Sequence, residues 1–211
     1  MTTVNIKFDH SQKLGYRCFM TKPVQQRTLK TRAKLLAAAR DVIAEHGFGG
    51  LRADQVVKRA GVAKGTFFAH FADKDALLDE IIGGQMGEMF RGMQSREVPQ
   101  SVGSLVAELV PLLRFMSCER YVFDVILRKS GAAACDAIGP IAMSFGQQLE
   151  ILSHWIERGP WRADADAELL AEGIQAFLLQ VLALHFCALH SGKPMEERLV
   201  EYLQVWLKPV T

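Results

Sequence analysis

RADQVVKRAGVAKGTFFAHF, residues 52–71, decides how this chain is read. From Arg52 to Ala60 the spacing predicts a short helix with Ala53, Val56, Val57 and Ala60 turned inward. Gly61 follows as a breaker able to take the positive φ that a sharp turn requires. A second helix runs from Ala63 to Phe71, with Val62, Phe67 and Phe71 spaced to pack. Small residues at Ala53, Ala60 and Gly61 let the two helices cross closely, which is helix-turn-helix anatomy. The second helix opens on Ala63-Lys64-Gly65-Thr66. Its first turn offers backbone N–H groups, a positive dipole end, an ammonium and a hydroxyl. That set suits phosphates and base edges in a major groove.

Helical signals continue on both sides. Lys30–His46 places Leu35, Leu36, Ala39, Val42 and Ile43 on one face and ends at Gly47. Asp73 is a fitting N-cap for a helix to about Gly92. Beyond Pro99 the expected helices are 101–116, with Pro111 as a kink, then 118–129, 136–158, 165–191 and 195–207. The fourth of these would be about 40 Å long. Gly159-Pro160 and Ser191-Gly192-Lys193-Pro194 separate them. No stretch alternates with period two between turn signals. The fold class expected is therefore all-α, about nine helices, with a small three-helix N-terminal domain over 26–75 and a larger helical domain over 76–211. Residues 1–25 read as an arm without periodicity. Met20 begins a basic, helix-leading stretch typical of a protein start, so translation from Met20 is one reading and a translated, disordered arm the other.

Charge is divided along the chain. Its 211 residues carry a formal net charge of +2. Residues 20–75 hold eleven Lys/Arg against five Asp/Glu, while 76–211 hold eleven against seventeen. A basic first third joined to an acidic remainder points the former at a polyanion. An apolar content of 49% excludes a wholly disordered chain. Cys18, Cys118, Cys135 and Cys187 have neither zinc-ligand nor disulfide-framework spacing. The first twenty residues lack the apolar core of a signal peptide, and a cytoplasmic location is expected. Gly173–Gly192 carries no charge, the length of a membrane span, yet Gln175, Gln180, His185 and His190 interrupt it and acidic residues flank it. A helix buried on most faces is the better reading, with no membrane partner.

Residues 27–82 resemble the DNA-binding domain of the TetR family of bacterial transcriptional regulators. The matching runs are EHGF at 45–48, AGVAKGTFFAHF at 60–71 and DKDALL at 73–78. The resemblance implies that Lys64, Gly65 and Thr66 open the recognition helix and meet base edges and adjacent phosphates. It places Phe68 where the family usually has a Tyr near the DNA backbone; without the hydroxyl the ring is left to meet a thymine methyl. His70, Lys74 and Arg52 fall at phosphate-contacting positions. Leu51 and Arg52 replace the usual Ser/Thr, so the hydroxyl cap is missing, and Asp54 is expected to substitute partly through the helix dipole. Arg27, Lys30 and Arg32 lie on the leading arm and could track a groove. Lys58, Arg59 and Lys34 are equally readable as phosphate contacts or solvated charge. Phe67 and Phe71 are core by helical spacing.

The larger domain carries no catalytic signature, so no enzyme is expected. Ala142-Met143-Ser144-Phe145-Gly146 lacks the first Gly and the strand of a nucleophile elbow. His154, His185 and His190 are not spaced as a metal site, and no cofactor is implied. Met116, Tyr121, Phe123, Met143, Phe145 and Trp155 offer a lining for an apolar effector pocket, or plain core. The last two long helices are apolar on several faces; Phe177, Leu178, Val181, Leu199, Leu203 and Trp206 are the candidate dimer interface. The resemblance implies a two-fold four-helix bundle there. Together these readings expect a homodimeric regulator of double-stranded DNA, by family habit a repressor, released from a pseudo-palindromic operator by a small, apolar effector. A DNA-binding regulator without an effector, or an activator, is the alternative.

Overall fold

The computed structural model describes residues 23–130, 138–189 and 192–208, and every regular element among them is helical. In chain order these are α1 Pro23–Gly50, α2 Ala53–Ala60, α3 Lys64–Phe68, α4 Lys74–Gln94, α5 Val102–Met116, α6 Arg120–Lys129, α7 Pro140–Arg158, α8 Ala167–His185 and α9 Met195–Leu207. The arm before Met20, Cys18, Cys135 and His190 lie outside the described residues.

Local chemistry sets the N-terminal helix ends. α1 starts at Pro23, seven residues before the expected start at Lys30, and breaks at Gly47 (φ 73°, ψ 172°) before a last short turn to Gly50. α2 stops at Gly61, whose φ of 64° and ψ of 39° are left-handed; the Val62 N–H then bonds back to the Val57 carbonyl at 3.1 Å. Arg52 gives α2 no side-chain cap; Gln55, one turn into the helix, accepts the Arg52 N–H through its Oε1 at 3.0 Å. Asp54 stands in the first turn of α2, the place its expected dipole role needs. Asp73 caps α4 as its sequence predicts, accepting the Ala76 N–H at 2.7 Å. α3 ends at Phe68 rather than Phe71, because His70 and Phe71 close a tight turn on the Phe67 carbonyl. Leu35, Ala39, Val42, Val56, Phe67, Phe71 and Leu77 form the buried centre of this unit.

α4 carries that unit into the rest of the molecule, so the expected boundary at residue 75 falls inside its first turn. It runs parallel to α7: Gly83 lies against Pro140 and Ile141, Met86 against Ser144, Gly87 beside Gln147. A Cβ on Gly83 would stand 2.5 Å from the Ile141 nitrogen, so the crossing needs glycine there. α7 has no cap from its own segment. Asp79 of α4 supplies one, accepting the Ile141 N–H at 3.0 Å while 8% exposed. Burial pushes the Asp79 carboxyl above its ordinary range; the Ile141 N–H and the Lys129 charge only partly oppose it.

Two long-helix expectations change. α5 passes unbroken through Pro111. α8 ends at His185, about 28 Å long rather than 40. Phe186 leaves the helix to stack on Phe123, centroids 5.6 Å apart, and its carbonyl accepts from Arg120 at 3.2 Å. α8 is the described helix long and apolar enough to cross a membrane. Here its Leu170, Ile174, Leu178 and Val181 are buried in the protein core, and Trp206 of α9 lies over Gly173 and donates to the Leu170 carbonyl at 3.0 Å.

Candidate nucleic-acid interface

α3 is held to the core from below and left open above. Phe67 is fully buried and packs on Phe71 at 5.7 Å between centroids. One residue on, Phe68 is 50% exposed, with only the edge of Phe67 at 5.3 Å. Lys64 and Gly65 are exposed; Thr66 is half-buried. Ala63 provides no side-chain cap, so the first N–H groups of α3 are not claimed by its N-cap side chain. Gly65 is informative. Its φ is not positive, and a Cβ there would meet nothing within 4 Å. The fold of the chain does not require glycine at 65.

The charged residues around α3 divide into free and engaged. Arg52, Lys58, Arg27, Lys30 and Lys34 are exposed. Arg59 is tied to Glu45 through two bonds of 2.6 Å, which hold the Glu45 carboxyl below its ordinary value. Arg32 does not track a groove. Its guanidinium donates to the His70 carbonyl at 2.9 Å, pairs with Glu80 at 2.5 Å and lies 4.4 Å over the Phe71 ring. It thereby locks the turn that carries His70 to both α1 and α4. His70 itself is half-buried.

Lys74 lies against α6. It sits at the first position of α4, six residues past the end of α3, with its Nζ 4.1 Å from the Tyr121 ring centre. The Tyr121 hydroxyl donates to Asp75 at 2.9 Å, and Arg128 donates to the other Asp75 oxygen at 2.8 Å. Burial alone would raise the Asp75 carboxyl. The Tyr121 and Arg128 hydrogen bonds, with the charges of Arg128 and Lys74, outweigh it and hold it below its ordinary value. A second link joins the same two parts of the chain: Glu119, the N-cap of α6, accepts the N–H groups of Phe48 and Gly49 at 2.7 and 2.9 Å. Sequence reasoning missed Glu119, Asp79 and Arg32 because their partners lie 71, 62 and 38 residues away.

The six proposed pocket residues are not gathered around one cavity. Met116 is core, Phe123 stacks on Phe186, and Tyr121 is committed to Asp75 and Lys74. Met143 is 66% exposed and Phe145 half-buried. Trp155 lines a cavity of about 260 Å³ with Gln94, Glu150, Ile151 and His154. No group of three His, Cys, Asp or Glu among the described residues is placed to hold a metal.

The dimer-interface residues also need correction. Leu178, Val181, Leu199 and Leu203 are buried inside one chain, so they cannot meet a partner. Phe177 and Trp206 are half-buried against each other at 5.7 Å. Apolar residues on several faces of α8 reflect one face used by the core. The outer face is Leu169, Ala176, Gln180 and Ala183, continued on α9 by Val205, which is 82% exposed.

Comparison with known proteins agrees with this anatomy. Residues 35–81 match the family described as bacterial regulatory proteins, tetR family. YvdT of Bacillus subtilis, an HTH-type transcriptional regulator, is 30% identical over 100 residues, spanning 47% of this chain and 52% of that one. The HTH-type transcriptional repressor KstR2 of Mycobacterium tuberculosis is 26% identical over 148 residues, 66% of this chain and 73% of its own. The fold is shared with FadR of Thermus thermophilus, a TetR-family repressor solved with lauroyl-CoA: TM-score 0.59 and 19% identity, over 83% of this chain and 92% of that one. Gly65 lies on the exposed side of α3, inside the matched segment. Over residues 35–81 the chain matches the TetR family of bacterial transcriptional regulators, and its described helices share the fold of a solved TetR-family structure.

Proposed function

We propose that this protein acts as a homodimeric repressor that binds a pseudo-palindromic operator and leaves it when a small molecule binds in the helical domain of α4–α9. The observation that carries the reading is the exposed pair Lys64-Gly65 followed by half-buried Thr66, with exposed Phe68 beside them, on a short helix whose opposite side is anchored by Phe67. Lys64 and Thr66 read base edges, Gly65 admits the DNA backbone, and Phe68 meets a thymine methyl. Arg52, His70 and Lys74 hold phosphates and give the sequence-independent, salt-dependent part of the affinity. Two protomers meet through the outer faces of α8 and α9 and present their α3 helices to successive major grooves, roughly 34–36 Å apart.

Release is a shift between two protomer spacings, and an effector drives it only as far as its preference for one of them. The links from α6 to the DNA-binding part, Glu119 to the end of α1 and Tyr121 with Arg128 to Asp75, support such coupling. A footprint of the purified protein on the DNA upstream of its own gene, at low and near-physiological salt, tests the reading. A protected palindrome that persists at the higher salt supports it. Protection that is diffuse, or that disappears with salt, contradicts it.

A further inference from the structure

Among the residues read as phosphate contacts, Lys74 has its charged end on a different element. Arg52 is exposed, whereas Lys74 is half-buried and its Nζ lies 4.1 Å from the centre of the Tyr121 ring, on α6. In sequence Tyr121 reads as the lining of an apolar pocket; the structure gives its ring face to an ammonium instead. That ring is itself fixed. Its hydroxyl donates to Asp75 Oδ1 at 2.9 Å, and Asp75 Oδ2 accepts from Arg128 Nη2 at 2.8 Å and Nε at 3.2 Å. The Arg128 guanidinium also lies over the ring, 5.9 Å from its centre. Asp75 and Lys74 are the first two residues of α4, so one tyrosine of α6 holds both side chains that open the helix.

This arrangement bears on how Lys74 meets a polyanion. A lysine stem has wide rotamer freedom, and ordering it on contact with a phosphate subtracts from affinity. A ring that already carries the ammonium removes much of that cost before DNA arrives. The contact does not exhaust the group. An ammonium has three N–H donors; the ring face takes one side of it, and the open side of a half-buried lysine is left for a phosphate oxygen. The hydroxyl bond to Asp75 keeps the ring from turning away.

We infer that Tyr121 is a positioning residue for DNA binding: its ring holds the Lys74 ammonium where a phosphate meets it, so α6 sets part of the sequence-independent affinity. The inference rests on the reading of Lys74 as a phosphate contact and adds the residue that stands behind it.

The test needs no operator. Affinity of the full-length protein is measured by fluorescence anisotropy for a labelled duplex of mixed sequence about two helical turns long, at salt between about 50 and 200 mM. Lys74→Ala defines the full loss of affinity and of salt slope. Tyr121→Leu, which removes the ring, is expected to weaken binding about two- to fivefold for each protomer and to bring the slope toward that of Lys74→Ala. Tyr121→Phe, which keeps the ring, recovers the wild-type slope. Tyr121→Leu adds no further loss in the Lys74→Ala background, which a merely structural role would not produce. The contact is read separately by NMR of the lysine side chains in the wild-type protein. The Lys74 ε-methylene signal, assigned by its absence from Lys74→Ala, should be shifted upfield by the ring and stay so when duplex is added; this arm decides alone if Tyr121→Leu does not fold. Binding by Tyr121→Leu as tight as wild type or tighter, a further loss in the Lys74→Ala background, or return of the Lys74 signal to its unshifted position on the duplex would each overturn the inference and leave the phosphate role of Lys74 standing. If Lys74→Ala itself changes neither affinity nor slope, the phosphate reading fails, and the inference with it.

Discussion

Lys74 and Thr66 lie within nine residues of each other but answer to different physics. A phosphate contact carries no sequence information, so Lys74→Ala should weaken binding to all duplexes alike and reduce the slope of log affinity against log salt by about one. A changed base preference in that variant would contradict its role. Thr66→Ala should instead alter the ranking of operators mutated singly within a half-site. Asp79 gives a prediction in pH. Its folded-state carboxyl titrates above the ordinary 3.8, so the native state binds more protons than the unfolded chain. Stability on this account falls as pH rises from about that value through the raised folded one. Asp79→Asn keeps an acceptor for the Ile141 N–H and removes the charge; urea titrations between pH 4 and 7 should show that decline flattened. At this scale the sequence disclosed what short spacing controls: Phe67 and Phe71 inward, Gly61 left-handed, Asp73 capping. Arg32 was legible only as a basic residue on an arm, because the His70 carbonyl and Glu80 reach it through the tertiary fold.

Between elements, the contacts that matter are carboxylates accepting backbone N–H groups across the chain. Glu119 binds the frayed end of α1 just past Gly47, where a Cβ on that glycine would press to 2.7 Å of its Oε1. Glu119→Gln retains one acceptor oxygen and loses the other. It should cost about 1–2 kcal/mol in chemical denaturation. It should also loosen the dependence of DNA binding on the helical domain, read as a smaller effector-induced loss of operator affinity. An unchanged stability would mean the clamp is not formed in solution. Helix number and order were readable from apolar periodicity and breakers. Helix ends were readable only where the stop signal is local. α8 ended six residues early because Phe186 gains a stacking partner in Phe123, a residue sixty-three positions earlier that periodicity does not connect to it.

For the whole molecule, burial takes the expected interface residue Leu203 out of reach of a partner. Leu203 reads as a dimer residue in sequence but has no exposed surface in one chain. Leu203→Glu should therefore unfold the domain, with a loss of more than about 3 kcal/mol. Val205→Glu, on the outer face of α9, should leave the fold intact and give monomers in sedimentation. A dimeric Val205→Glu protein would place the interface elsewhere. An apolar count shows that α8 and α9 have more apolar surface than one stripe needs. Which stripe faces inward depends on where Trp206 settles over Gly173, and only the packed structure supplies that. On the proposed function, two α3 helices fixed at one spacing by a dimer read two half-sites together. The most direct test is affinity for duplexes carrying the same half-sites at centre-to-centre separations varied one base pair at a time. The account predicts a sharp maximum near one helical turn, about 10–10.5 base pairs, and a large loss on destroying either half-site. Affinity that is indifferent to separation, or unchanged when one half-site is removed, would contradict it.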